Sequence, residues 1–131
     1  MKKLFYINLL LVLMASCASE KKCASTKEMV VLDKNTNEVT LKVGQPCEIQ
    51  FITNASTGYW WQWVNSNEIT VVDSIGEHYT STAPVGMVGA SSTRHWKFEA
   101  KKKGTETLKF VYARSNRDDA IKTREVTIKV K

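Results

Sequence analysis

From Glu28 onward the chain is a succession of short apolar stretches separated by polar turns. Met29-Val30-Val31-Leu32 is a compact apolar run, and Asp33-Lys34-Asn35-Thr36-Asn37 after it has the composition of a turn. In Val39-Thr40-Leu41-Lys42-Val43 apolar and polar residues alternate strictly, the period of a strand with one buried face. Gly44-Gln45-Pro46 turns the chain into a second alternating run, Cys47–Ile52. Further strands are predicted at Tyr59–Val64 and Ile69–Val72. Thr93–Ala100 sets Trp96 and Phe98 on one face and His95, Lys97 and Glu99 on the other. After a turn at Lys101-Lys102-Lys103-Gly104, Leu108, Phe110 and Tyr112 share a face, as do Val126, Ile128 and Val130 in the last strand. No window carries apolar residues at helical spacing. About seven or eight strands with turns roughly every ten residues predict an all-β domain, an antiparallel β-sandwich. The roughly 104 residues from Glu28 to Lys131 suffice for one domain with one core.

Three stretches break the alternation: Thr53–Gly58, Pro84–Thr93 and Arg114–Thr123. Alternate connections of a sandwich emerge at the same end, so these three are expected to cluster at one pole, a binding architecture rather than a catalytic one. The first is the most distinctive. Asn54-Ala55-Ser56-Thr57-Gly58-Tyr59 runs straight into Trp60-Trp61-Gln62-Trp63. Its aromatics either hold a projecting loop rigid or simply fill the core, and composition alone does not separate the two.

The N-terminal residues read as a targeting segment. Met1-Lys2-Lys3 is basic, and Leu4 to Met14 is apolar except for Asn8. An apolar run of about 11 residues is well short of the about 20 that span a bilayer, so this is a secretory signal. Ala15-Ser16-Cys17 resembles a bacterial lipobox, with Met14 where leucine is usual. That resemblance implies cleavage before Cys17 and diacylation of its sulfur. The chain then divides into a signal peptide (1–16), a polar tether (17–27) and a folded domain (28–131). It implies an exported protein held in the bacterial cell envelope, periplasmic or surface-facing, by the lipid on Cys17 alone, with simple secretion as the alternative. Cleavage removes Lys2 and Lys3 and takes the formal charge from +6 to +4. The remaining cations are spread along the strands, without a recognition helix or a basic block, and nucleic-acid binding finds no support. Cys47 shares the face of Ile49 and Phe51 and is expected in the core; a Cys23–Cys47 disulfide would join a flexible tether to that core, a poor geometry.

Catalysis needs a constellation, and none assembles. The two histidines, His78 and His95, are expected at the surface or rim. Cys47 is buried by its pattern away from any base. Asp118-Asp119 reads as solvated charge in a turn without further metal ligands, and Gly86-Met87-Val88-Gly89 lacks the features of a phosphate loop. No enzyme, metal or cofactor is indicated.

The order and content of the loops resemble the chagasin family of cysteine-protease inhibitors. The first family loop carries Asn-Pro-Ser/Thr-Thr-Gly-Tyr/Phe and a nearby Trp; Asn54, Ser56, Thr57, Gly58, Tyr59 and Trp61 match, and Ala55 replaces the proline. Leu41-Lys42-Val43-Gly44-Gln45-Pro46 is similar to the family's entry to its second strand. The second loop departs: the family's Gly-x-Gly-Gly reads Gly89-Ala90-Ser91-Ser92, where serine is expected to add strain or bulk. In the third, Arg-Pro-Trp becomes Arg114-Ser115-Asn116, which loses an aromatic anchor. The resemblance implies an immunoglobulin-like sandwich that occludes the cleft of a papain-like cysteine protease with loops 53–59, 86–94 and 114–119. The contact residues it implies are Asn54, Ser56, Thr57, Gly58, Tyr59, Gly89, Ala90, Ser91, Ser92, Arg114 and Asn116, with Tyr59 and Trp61 supporting the first loop. A monomer is expected. The alternative is a lipid-anchored binding module that has turned the same loops to another envelope or host partner.

Overall fold

A computed structural model describes residues 27–131. The predicted signal peptide, Cys17 as the expected lipidation site, and Cys23 lie outside the described residues. Eight strands follow one another: β1 (Val30–Leu32), β2 (Glu38–Leu41), β3 (Pro46–Thr53), β4 (Trp60–Trp63), β5 (Val72–Thr80), β6 (Ser92–Ala100), β7 (Gly104–Ala113) and β8 (Lys122–Val130). They form two four-stranded sheets, β1-β3-β6-β5 and β2-β8-β7-β4. Short 3₁₀ turns lie at Ala55–Thr57, Ser66–Glu68 and Arg117–Asp119. No helix among the described residues is long and apolar enough to cross a membrane.

The alternation read from the chain is the alternation buried. Leu41, Cys47, Ile49, Phe51, Trp61, Phe98, Leu108, Phe110, Val126 and Ile128 meet between the sheets. Aromatic rings fill the middle: Phe51 lies 4.9 Å from Trp61 and 4.8 Å from Phe110 between ring centroids, and Trp63 stands edge-on to Phe98 at 5.2 Å. Such tilted and edge-to-face contacts suit the charge distribution of the rings. Cys47 is wholly buried, and burial pushes its thiol up to about 12, which makes it a small core hydrophobe rather than a nucleophile.

Two features of the sheets were not legible in the periodicity. The pairing is antiparallel except at two edges, where β1 runs parallel to β3 and β2 parallel to β8. In addition, β5 extends over Val72–Thr80, far beyond the apolar run Ile69–Val72 that predicted it. All of β5 after Val72 is exposed, with a register shift between Ser74 and Gly76, so its residues carry no alternating signal. An edge strand paired on one side only, exposed on both faces and bulged, is held by its backbone ladder and not by a buried stripe.

Two arginines bridge the sheets. Arg124, on β8, donates to the carbonyls of Gln50 (2.7 Å), Asp33 (2.6 Å) and Thr36 (2.6 Å) and to Asn37 Oδ1 (3.0 Å), and its guanidinium lies over the Phe51 ring. Burial lowers its pKa, a change that the nearby Asp33 opposes. Arg94, on β6, donates to the Trp61 carbonyl of β4 at 2.6 Å, pairs with Glu77 and stacks 3.9 Å from the Trp96 ring.

Candidate functional site

Strand register brings the three loops together. Thr53 at the end of β3 faces Ser92 at the start of β6, and Thr80 at the end of β5 faces Thr93. In the other sheet Trp60 faces Ala113, and Tyr112 faces Lys122. The first loop therefore crosses from one sheet to the other between the hairpin loops 81–91 and 114–121.

The first loop is ordered by its own residues. Asn54 takes an extended conformation, and its Oδ1 accepts from Ser56 N (3.2 Å) and Ser56 Oγ (2.6 Å), capping the 3₁₀ turn Ala55–Thr57. Thr57 Oγ1 donates back to the Asn54 carbonyl at 2.7 Å. Gly58 closes the turn with φ +73°, the left-handed region that only glycine enters without strain, and donates to the Ala55 carbonyl at 3.2 Å. A short polar side chain that caps and a glycine that terminates are what so tight a turn requires.

Aromatic residues fix its base. Trp61 is buried and donates from Nε1 to the Ile52 carbonyl at 2.9 Å. Tyr59 stacks on Tyr112 at 5.7 Å, while Trp60 turns to the opposite, exposed face. The Tyr112 hydroxyl accepts from Asn54 N at 3.0 Å, a tie that the spacing of the chain did not suggest. Burial works against ionisation of this phenol, but hydrogen bonding with Asn54, Thr53 and Thr57 outweighs it and leaves its pKa lowered.

Both neighbouring loops lean on the first. Asn54 Nδ2 donates to the Gly89 carbonyl at 3.0 Å. Gly89 has φ +83°, and Ser56 Oγ lies 3.9 Å from where a β-carbon would stand. On the other side the Arg114 guanidinium lies 4.6 Å from the centroid of the Tyr59 ring, and its carbonyl accepts from Gln62 Nε2 at 2.9 Å. Asn116 turns its Oδ1 inward to cap Arg117–Asp119 through Asp118 N at 3.1 Å, repeating the device used by Asn54. Thr57, Tyr59 and Ser91 join Asn54 and Tyr112 in lining one shallow cleft of about 270 Å³.

The structure corrects one expectation and narrows another. Serine in the second loop brings no backbone strain: every positive φ among the described residues belongs to glycine, and Ser92 is simply the first residue of β6. His95, expected at the surface or rim, lies at the rim on the outer face of its sheet. Its side chain is 13% exposed and reaches Glu48 at 2.6 Å. The periodicity also passed over the tip of the second loop, where Val85, Met87 and Val88 are largely exposed around a turn closed by Met87 N and the Pro84 carbonyl. Exposed apolar residues grouped on one loop mark a contact surface.

A two-sheet sandwich that carries three ordered, mutually braced loops at one end is the build of a binding protein. The chain belongs to the chagasin family of peptidase inhibitors: the family model described as chagasin family peptidase inhibitor I42 matches residues 40–130. That family is one of inhibitors, not of enzymes. Among solved structures the fold is similar to a cysteine protease inhibitor, EhICP2, from Entamoeba histolytica, with a TM-score of 0.65 and 22% identity over 79% of this chain and 96% of that one. It is similar as well to the solution structure of Amebosin, with a TM-score of 0.56 and 23% identity over 79% of this chain and 99% of the other. Comparison with curated proteins returned no match.

Proposed function

We propose that the protein inhibits papain-like cysteine proteases by filling the active-site cleft with its three-loop surface. The observation that carries this is the bracing of the first loop from both sides, by the Asn54–Gly89 hydrogen bond and by Arg114 stacked on Tyr59. A wedge ordered before it binds loses little conformational freedom on association. Thr57 and Gly58, exposed at the crest, would lie over the catalytic cysteine and offer it backbone that is not positioned for cleavage. Gly89–Arg94 and Arg114–Asp118 would grip the two walls, and Val85, Met87 and Val88 would supply apolar contact that the missing third-loop tryptophan does not.

Active-site titration of papain tests this reading. One protein chain should abolish the activity of one protease, and Gly58→Glu should raise the inhibition constant by at least about a hundredfold, the range of a central interface residue, with the circular dichroism of the domain unchanged. A folded protein that leaves papain active at micromolar concentration removes papain-like targets. Normal inhibition by Gly58→Glu removes the first loop as the wedge. The second reading, a binding module for another envelope or host partner, rests on the altered second and third loops, and it predicts the first of those failures.

Export and anchoring at Cys17 belong to the same proposal, supported by the Leu4–Met14 apolar run and Ala15-Ser16-Cys17. On detergent phase partition the mature protein should enter the detergent phase and a Cys17→Ser variant the aqueous phase. A mature wild-type protein found in the aqueous phase would rule the lipid out.

A further inference from the structure

The outer face of the β1-β3-β6-β5 sheet carries a cluster that the inhibitory surface does not use. His95 sits at its centre on β6, with His78 directly opposite on β5 and Gln50 directly opposite on β3. Glu48, two residues before Gln50, is almost fully buried, yet its carboxylate points along the sheet toward His95 and not toward Lys97, its own register partner. The two imidazoles lie parallel at 4.3 Å. Glu48, His78 and His95 can each offer one ligand atom such that all three lie within 4.8 Å of one another.

We propose that Glu48, His78 and His95 form a binding site for a divalent transition metal ion of the zinc class. Two imidazoles and one carboxylate are a donor set suited to zinc, copper or nickel rather than to calcium or magnesium. In a tetrahedral zinc site ligand atoms at about 2.0–2.1 Å from the ion stand about 3.3 Å from one another, so the widest pair must close by up to about 1.5 Å and the stacked His78 ring must turn its lone pair toward the ion. His78 can supply that movement, being exposed and free of hydrogen bonds to the described residues.

The surroundings of the other two ligands are those a metal site needs. Gln50 Nε2 donates to Glu48 Oε1 at 3.2 Å and orients the carboxylate. Thr80 Oγ1 lies 2.7 Å from His95 Nε2. In the neutral tautomer that places the proton on Nδ1, His95 donates to Glu48 across the 2.6 Å contact and its Nε2 is left to accept from the Thr80 hydroxyl. When Nδ1 gives its lone pair to a cation, Nε2 carries the proton and the same hydroxyl accepts from it. Fixing the far nitrogen in this way sets the tautomer and orientation of a ligating histidine. The exposed side of the cluster leaves a coordination position for water. Since His78 and His95 flank the root of loop 81–91, a bound ion would tie together the strands that carry that loop.

Calorimetric titration of tag-free, chelator-treated protein with zinc chloride tests the site, alongside the thermal midpoint with and without zinc. The expected result is one zinc per chain, a raised midpoint, and at least a tenfold loss of affinity in both His78→Ala and His95→Ala. His78→Ala removes an exposed ligand and leaves the Glu48–His95 pair, so its metal-free midpoint should stay near that of the wild type. Absence of zinc binding at micromolar concentration, or zinc binding unchanged in His78→Ala, overturns the proposal. Either result leaves the inhibitory reading intact, because the cluster lies outside the loop surface.

Discussion

At Ala55 the family's proline is missing, and local geometry says what that costs. Ala55 is the first residue of the capped 3₁₀ turn, its N–H makes no hydrogen bond among the described residues, and Asn54 before it is already extended at φ −136° and ψ 99°. Proline is suited to such a first position and asks for an extended residue before it. Ala55→Pro should therefore stabilise the domain by about 0.4–1 kcal/mol, chiefly by restricting the unfolded chain. Chemical denaturation is the measurement, and a loss of stability would show that the turn is not held as described. Tyr112 is the other decisive residue at this scale. Its ring completes the aromatic base while its hydroxyl receives the Asn54 N–H, so one side chain positions both the root and the floor of the first loop.

At the scale of elements, connections are held by carboxylates and caps more than by apolar contact. The segment between the second 3₁₀ turn and β5 is fastened by Glu106 of β7, which accepts from Thr70 N (2.8 Å), Val71 N (3.0 Å) and Thr70 Oγ1 (3.0 Å). Burial opposes its ionisation, but these hydrogen bonds prevail and lower its pKa below the ordinary 4.5. Glu48 is lowered in the same sense by His95 and Gln50, against burial. A carboxyl that binds its proton less tightly folded than unfolded stabilises the fold above about pH 4.5 and loses that contribution as pH falls through the lowered folded value. The thermal midpoint should accordingly fall below that pH. Glu106→Gln should be less stable at neutral pH and lose less on acidification, and an acid limb of unchanged slope in this variant would remove Glu106 as a contributor.

For the molecule as a whole, the two sheets are joined by aromatic packing in the middle and by two arginines beside Phe51. Arg124 reaches three backbone carbonyls, of which Gln50 belongs to β3 in the opposite sheet and Asp33 and Thr36 to the turn after β1. Arg124→Met would keep the apolar stem and leave those carbonyls without their donor. Hydrogen bonds from a charged donor are worth about 1.5–3 kcal/mol each, but Asp33 and Thr36 lie in an exposed turn where water can replace the guanidinium, so a net loss of about 1–3 kcal/mol is expected in denaturant unfolding. Arg124→Lys should recover only part of it, because an ammonium cannot reproduce the planar fork. A Met variant as stable as the wild type would show that the aromatic core alone holds the sheets.

Alternation alone was enough to specify the sandwich, because a strand buried on one face must repeat every two residues, as in β2, β3, β6, β7 and β8. The first loop was equally plain, since an asparagine cap, small polar residues and a closing glycine determine their own turn locally. Residues without a local signature were decided only by the tertiary structure. The exposed edge strand β5 has no buried face to pattern it, and the parallel pairings of β1 and β2 depend on where distant strands end. Tyr112 reads as one more core aromatic until Asn54 folds over its hydroxyl. Glu48, His78 and His95 are far apart along the chain and ordinary by composition, and strand register alone makes them neighbours. The chain by itself determined the scaffold and the turn of the first loop, both of which follow from contacts close in sequence or from simple periodicity. Bracing of the first loop by Gly89 and Arg114, and the grouping of the histidines with a buried carboxylate, required three strands and three loops to meet in space.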